Sequence, residues 1–425
     1  MVIAGIVIVV ATFIAIIKQF ETRLVLLLSG LLMCFIGGQI GAGTTAFVKE
    51  LTNPGLVPTI CTVLGFSYVM EYTKCTEHMV YFISAGLKKM TKIIIPGAVI
   101  ITFLINIALP TAAGCAAAVG ALLIPALIRS GVHPAMAGSA IFLGTWGSAL
   151  SPGLMFNPQV AQLAGEDVMT VIASFSMQAI IGIVVAAILL NIVAIVKKEN
   201  TGYVLKDANA EEGKEFKVNY LYAIIPIIPL VLLVLGSKQV AVIPEISVPV
   251  SMLIGTAIGI IAVRPNVTEA VKKFFRGTGD GMCDVVGLMA AAAAFTAGMQ
   301  YIGLTNALID GMKNSQQIAQ IGAAFGPFLL AVISGSGNAA ALAFNGAVTP
   351  HAADFGYGIM QLGSMAQLGA GIGRSMSPVA GAGIIIAGLA GINPMEMAKR
   401  NAVPCIIATV VIMLLLSLIH ISEPT

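Results

Sequence analysis

Apolar residues occupy helix-length runs in this chain, and polar residues gather between them. The runs at 2–17, 24–42, 55–70, 169–196, 221–235, 248–263, 282–300 and 401–419 each predict a helical crossing. No Asp, Glu, Lys or Arg occurs between Lys92 and Arg129, Arg129 and Glu166, Asp167 and Lys197, or Lys313 and Asp354. Each gap exceeds the roughly 20 residues that cross a hydrocarbon core. The stretches 93–163 and 319–391 are equally charge-poor, yet Gly, Pro, Ser and Asn interrupt them. The interruptions read Leu109-Pro110-Thr111-Ala112-Ala113-Gly114, Ser148-Ala149-Leu150-Ser151-Pro152-Gly153, Ser334-Gly335-Ser336-Gly337-Asn338 and Gly373-Arg374-Ser375-Met376-Ser377-Pro378. Helix breakers persist at membrane depth only where the freed backbone groups are buried in protein or line a cavity.

Composition narrows the class. Charged residues make up 10% of 425 and hydrophobic residues 58%, against about 25% charged in soluble domains. A disordered chain is poor in apolar residues, so the same figures exclude disorder. The pattern is that of an all-α polytopic membrane protein seated in a lipid bilayer. A net charge of +3, spread over loops, gives nucleic acid no binding surface. The start, Met1-Val2-Ile3-Ala4-Gly5, lacks a basic n-region and reads as a first crossing. Cys34, Cys61, Cys75, Cys115, Cys283 and Cys405 are scattered singly, as buried apolar residues rather than metal or redox pairs. No phosphate-binding loop, H-E-x-x-H or Cys/His cluster is present, so no enzyme or ATP-driven pump is expected.

Half the chain repeats the other half. Met70-Glu71-Tyr72 and Thr76 align with Met299-Gln300-Tyr301 and Thr305. Thr111-Ala112-Ala113 falls opposite Ser336-Gly337-Asn338, Pro125 opposite Pro350, and Ser151-Pro152-Gly153 opposite Ser377-Pro378-Val379. Charge sets the relative orientation. Segment 73–92 carries Lys74, Lys88, Lys89 and Lys92 against Glu77, whereas 302–319 carries only Lys313 and Asp310. Equivalent segments with unequal basic content belong on opposite faces. Two inverted repeats are therefore expected, 1–196 and 220–419, joined by a polar cytoplasmic linker at 197–219, with 420–425 a truncated or foreign tail. Segment 264–280, with Arg264, Lys272, Lys273 and Arg276, is expected on the cytoplasmic side. Each repeat would hold three helices, an amphipathic arm (74–90 and 302–317), a re-entrant hairpin (93–128 and 319–350), a broken helix and a closing helix. That makes about ten transmembrane helices plus two hairpins, with the N-terminus outside and Lys88 and Ser315 on opposite sides.

A helix that ends in mid-membrane exposes N–H groups at its start and carbonyls at its end. Inverted repeats with such half-helices are the usual construction of secondary transporters. Four new N-termini are expected to converge, two after the hairpin tips and two after the Ser-Pro breaks. Pro152 and Pro378 are expected in the first helical turn, where proline sacrifices no hydrogen bond. Arg374 is the lone charge between Phe355 and Glu396. Its planar fork suits a carboxylate, although a tie to backbone carbonyls or a snorkelling cytoplasmic end is the alternative. Ser148, Asn157, Ser334, Asn338 and Ser375 offer oxygens for a coupling Na⁺; Glu71 and Glu77 are the candidates if H⁺ is the coupling ion. A small organic anion is thus the expected substrate. An anion channel, or a carrier of amino acids or monocarboxylates on the same fold, is the alternative.

With Ser334-Gly-Ser-Gly-Asn338 and Gly373-Arg374-Ser-Met-Ser-Pro378, the chain resembles the anaerobic C4-dicarboxylate carriers of the DcuC type, within the wider ion transporter superfamily. The resemblance runs from Glu71–Lys92 through both hairpins to Pro394–Arg400. It implies transport of succinate- or fumarate-type dicarboxylates coupled to Na⁺ or H⁺, a homodimer, an elevator mechanism, and the bacterial inner membrane. Carried over, the substrate site is Ser336, Gly337, Asn338, Arg374, Ser375, Ser377 and Pro378, with Thr111, Ser151 and Pro152 as its repeat-related half. No cofactor beyond the coupling ion is implied.

Overall fold

The computed structural model describes residues 1–18, 20–84, 93–204, 217–313 and 316–419. These are helical, with no strand among them. The first half runs α1 (Val2–Ile17), α2 (Thr22–Ile36), α3 (Ile40–Leu51), α4 (Val57–Tyr72), α5 (Cys75–Ser84), α6 (Ile94–Ala108), α7 (Ala112–Arg129), α8 (Pro134–Gly144), α9 (Phe156–Ala164) and α10 (Val168–Val196). The second runs α11 (Tyr220–Ile224), α12 (Ile228–Leu235), α13 (Val248–Val263), α14 (Val267–Asp280), α15 (Gly287–Tyr301), α16 (Leu304–Lys313), α17 (Gln316–Ser334), α18 (Gly337–Ala347), α19 (Ile359–Arg374), α20 (Gly381–Ala390) and α21 (Pro394–Ile419). Lys88, Ser315, most of the linker and the tail 420–425 lie outside the described residues. So do residues 85–90 of the first arm and 314 of the second.

Several expected crossings differ in detail. The run 24–42 breaks at Gly37-Gly38, where Gly38 takes φ +75°, so α2 and α3 are separate helices. The run 221–235 carries a 3₁₀ turn at Ile225–Ile227 that contains Pro226, with Pro229 just after it, since proline removes a backbone donor at each place. Segment 264–280, read from its charges as a cytoplasmic connection, is mostly the helix α14. It continues through a π turn at Gly281–Val286 into α15. The Arg23 guanidinium donates to the Cys283 carbonyl in that turn over 2.8 Å.

Contacts recur in matched pairs between the two halves. Helix α4 packs on α13 and α14, and α15 packs on α2 and α3; α6 lies on α8 and α10, and α17 lies on α19 and α21. The seats are built from glycine. On α19, a Cβ at Gly373 would run into the Phe328 carbonyl of α17. At Gly147, 226 residues earlier, it would run into the Phe103 carbonyl of α6. Gly369 stands in the same way on Ala324, and Gly144 on Thr102 and Val99. Small residues thus let each broken helix touch the backbone of its hairpin, as membrane interiors favour. The two closing helices, α10 and α21, pack on each other. At the end of α10, Glu199 grips the buried Arg400 of α21 through two hydrogen bonds of 2.5 and 2.7 Å.

Candidate functional site

Both hairpins turn where the sequence predicts. The first turns at Leu109-Pro110-Thr111. The second turns at Gly335-Ser336, with Gly335 at φ +75° and set against the Val379–Ala380 backbone, where a side chain would not fit. The first broken helix opens between Gly144 and Phe156, with a 3₁₀ turn at Gly147–Leu150, and the second between Arg374 and Gly381.

A cavity of about 350 Å³ lies among these four interruptions. The opening turns of four helices line it: Ala112 and Ala113 of α7, Phe156 of α9, Gly337 and Asn338 of α18, and Gly381 and Ala382 of α20. Only Ser336 among the four preceding residues caps its helix, accepting from the Ala339 N–H over 3.2 Å; Thr111, Met155 and Ala380 provide no side-chain cap. Each start therefore brings the partial positive charge of a helix N-terminus to one space. Ile60, Val63 and Leu64 of α4 and Val285 of the π turn close another wall.

Of the predicted residues, Thr111, Ser148, Ser336, Gly337, Asn338 and Arg374 line the cavity. Arg374 donates from Nη2 to the Thr145 carbonyl over 2.6 Å, and its Nε has no partner among the described residues. The other predicted residues stand behind this layer. Ser334 donates to the Leu330 carbonyl and accepts from the Ser336 N–H; Ser375 donates to the Gly371 carbonyl, and Ser377 accepts from the Val379 N–H. Ser151 and Pro152 line a separate small cleft beside Pro226 and Pro229. Pro152 and Pro378 do not open their helices, contrary to expectation: each sits in the turn before, three or four residues ahead of Gly381 and Phe156. The breaks hold more unwound chain than a single kink, and the prolines shape that chain. Asn157 has both ends of its amide engaged: Nδ2 donates to the Ala149 and Ser151 carbonyls and Oδ1 accepts from Gln367 Nε2. Glu71 and Glu77 line a different hollow of about 440 Å³ between α5 and α7, with Thr76, Tyr81 and Gly114. Among the described residues, no group of three His, Cys, Asp or Glu side chains could hold a metal.

Three lining or supporting residues were missed from sequence. Trp146, the single tryptophan, is 1% exposed, and its Nε1 has no partner among the described residues. Gln367 lies seven residues before Arg374, on the same face of α19; that spacing in a charge-poor run was the available signal. Asn106 accepts from the Ser148 N–H over 2.7 Å and donates to the Leu109 carbonyl, tying the first break to the first hairpin tip.

Among the described residues, five helices are long and apolar enough to cross a membrane, from 18 to 35 residues each, and shorter apolar helices accompany them. They mark a multi-pass membrane protein, and the family it falls in is one of transporters. The chain belongs to the C4-dicarboxylate anaerobic carrier (DcuC) family, whose model matches residues 2–421. It is 39% identical to an uncharacterized transporter of Haemophilus influenzae over 270 residues, covering 61% of this chain and 96% of that one. It is 25% identical to the anaerobic C4-dicarboxylate transporter DcuC of Escherichia coli K12, over 96% of this chain and 94% of that one. The solved structure of the YdaH transporter of Alcanivorax borkumensis shares its fold. The TM-score is 0.60 at 14% identity, over 90% of this chain and 88% of that one.

Proposed function

We propose that the protein is a secondary active carrier of C4-dicarboxylates in the bacterial inner membrane. The observation that carries this reading is the meeting of four half-helix N-termini and Arg374 around one cavity. Positive helix ends and a guanidinium favour a small dianion, and the cavity is of small-molecule size. The names of the family and of the Escherichia coli relative agree with that chemistry.

The matched contacts support two repeats, 1–196 and 220–419, joined by the linker 197–219, and the unequal basic content of their arms supports an inverted arrangement. On this reading the hairpins and broken helices move as one body against α4 and the π turn in an elevator motion, within a homodimer. Coupling would run through Na⁺ at Ser148 and Asn338, or through H⁺ at Glu71 and Glu77. Reconstituted protein should show saturable counterflow of labelled succinate. Large non-saturating anion currents would identify a channel instead, and an absence of dicarboxylate flux would overturn the reading.

A further inference from the structure

Two side-chain contacts tie the end of α9, in the first broken helix, to the helices that it faces. Asn53, in the turn between α3 and α4, is 6% exposed, and its Oδ1 accepts from the Gly55 and Leu56 N–H groups over 3.1 and 3.4 Å. Those backbone donors can only be met by the oxygen, which leaves the amide nitrogen turned outward. Nδ2 then donates to Glu50 Oε2 over 3.3 Å and to Gln162 Oε1 of α9 over 2.9 Å. Four residues on, Glu166 meets Lys238, in the connection between α12 and α13, at 3.6 Å. That ion pair is solvent-exposed and weak alone; the buried Asn53 amide makes the stronger tie.

The second repeat cannot form such a pair. Gly165 ends α9 at φ +70° and Gly391 ends α20 at φ +64°. Asp167 and Asn393 then accept from the Met169 and Met395 N–H groups as the two closing helices begin. Both matches are 226 residues apart, and that register sets Gly388 opposite Gln162 and Ile392 opposite Glu166, side chains with no polar atom.

We propose that the end of α9 is a latch that biases the carrier toward the conformation in which Gln162 meets Asn53. The inference rests on the elevator reading above and goes beyond it. Exchanging conformations between inverted repeats converts one end state into the other, so matched repeats give the two states similar energies. A tie made by one repeat alone favours the state that holds it. It thereby weakens apparent substrate binding on the face that the other state opens.

Half-saturation by succinate, measured separately from the two faces of proteoliposomes, tests the bias. Gln162→Ala with Glu166→Ala should move the two constants in opposite directions, changing their ratio about three- to tenfold. Glu166→Lys should change it about twofold, and adding Lys238→Glu should restore it. An unchanged ratio overturns the proposal, and so does a parallel shift of both constants, which a merely loosened structure would give. Asn53→Cys with Gln162→Cys, joined by a short bifunctional thiol reagent, should lose succinate counterflow and regain it on reduction; the single variants, treated alike, are the controls. Undiminished counterflow by the joined protein overturns the latch together with the elevator reading, whereas blocked counterflow with an unchanged ratio overturns the latch alone. If the wild type carries no succinate, the carrier reading itself falls, and the inference with it.

Discussion

Arg374 and Thr145 join the two interrupted helices: the guanidinium at the end of α19 donates to the carbonyl that closes α8, over 2.6 Å. Helix ends carry partial negative charge on their free carbonyls, so the contact neutralises one break with the side chain of the other. Arg374 also lines the cavity. Arg374→Lys keeps the charge and loses the fork. Uptake by the normally expressed variant should fall roughly ten- to a hundredfold, the worth of one or two charge-assisted hydrogen bonds. Initial rates of succinate uptake in proteoliposomes measure this, and unchanged rates would reduce Arg374 to a strut.

The glycine seats make a stability prediction. Gly147→Ala and Gly373→Ala each push a methyl group into a backbone carbonyl, of Phe103 and Phe328, that cannot rotate aside. Each should lower stability by about 1–3 kcal/mol, read as a lower midpoint of thermal unfolding in detergent. Gly388→Ala, on α20 with open space around it, is the control. It should be neutral or slightly stabilising, because alanine is the better helix former.

Asn157 holds the unwound chain of the first break. Asn157→Ala leaves the Ala149 carbonyl and the Gln367 amide nitrogen without this partner, both in buried residues, while the Ser151 carbonyl keeps the Leu154 N–H. A loss of about 1–3 kcal/mol is expected for each stranded group that finds no water. Asn157→Asp should be worse than Asn157→Ala, since it turns a buried carboxylate toward two carbonyl oxygens. An aspartate variant as stable as wild type would show that the amide is not the clamp.

The arm α5 carries a pH-dependent contact. His78 Nδ1 accepts from the Asn219 N–H over 3.1 Å, and its ring meets Tyr222 edge-on. Burial holds the ring below its ordinary 6.5; Lys74 pushes the same way and Glu77 opposes. A depressed folded value favours the neutral ring, so this contribution is present above 6.5 and fades as pH falls through the folded value. Protonated Nδ1 no longer accepts. Amide exchange at Asn219 should therefore rise on acidification, and His78→Phe should abolish the pH dependence.

Local breakers and a lone charge made much of this architecture legible. Ser334-Gly-Ser-Gly-Asn338 reads as a turn because a left-handed backbone at Gly335 is open to glycine. Arg374 stands out because charge is costly at depth. The tie between Gln367 and Asn157 was not legible, since it joins residues 210 apart and depends on which end of the Asn157 amide two carbonyls permit. Pro152 and Pro378 misled for a related reason. Sequence marks where a helix is interrupted, but the packing around the break decides how many residues stay unwound before the next helix begins.

The π turn at Gly281–Val286 has a consequence for how this chain tolerates shortening. Such a turn holds one residue more than an α turn, with hydrogen bonds reaching one residue further. Removing a single residue there restores ordinary winding without cutting a connecting loop. Anywhere else in α14 or α15, the same deletion rotates one end of the rod by roughly 100° against its neighbours. A scan of one-residue deletions along 267–301 should find its mildest folding defects inside the turn, paid for by turning Val285 away from the cavity.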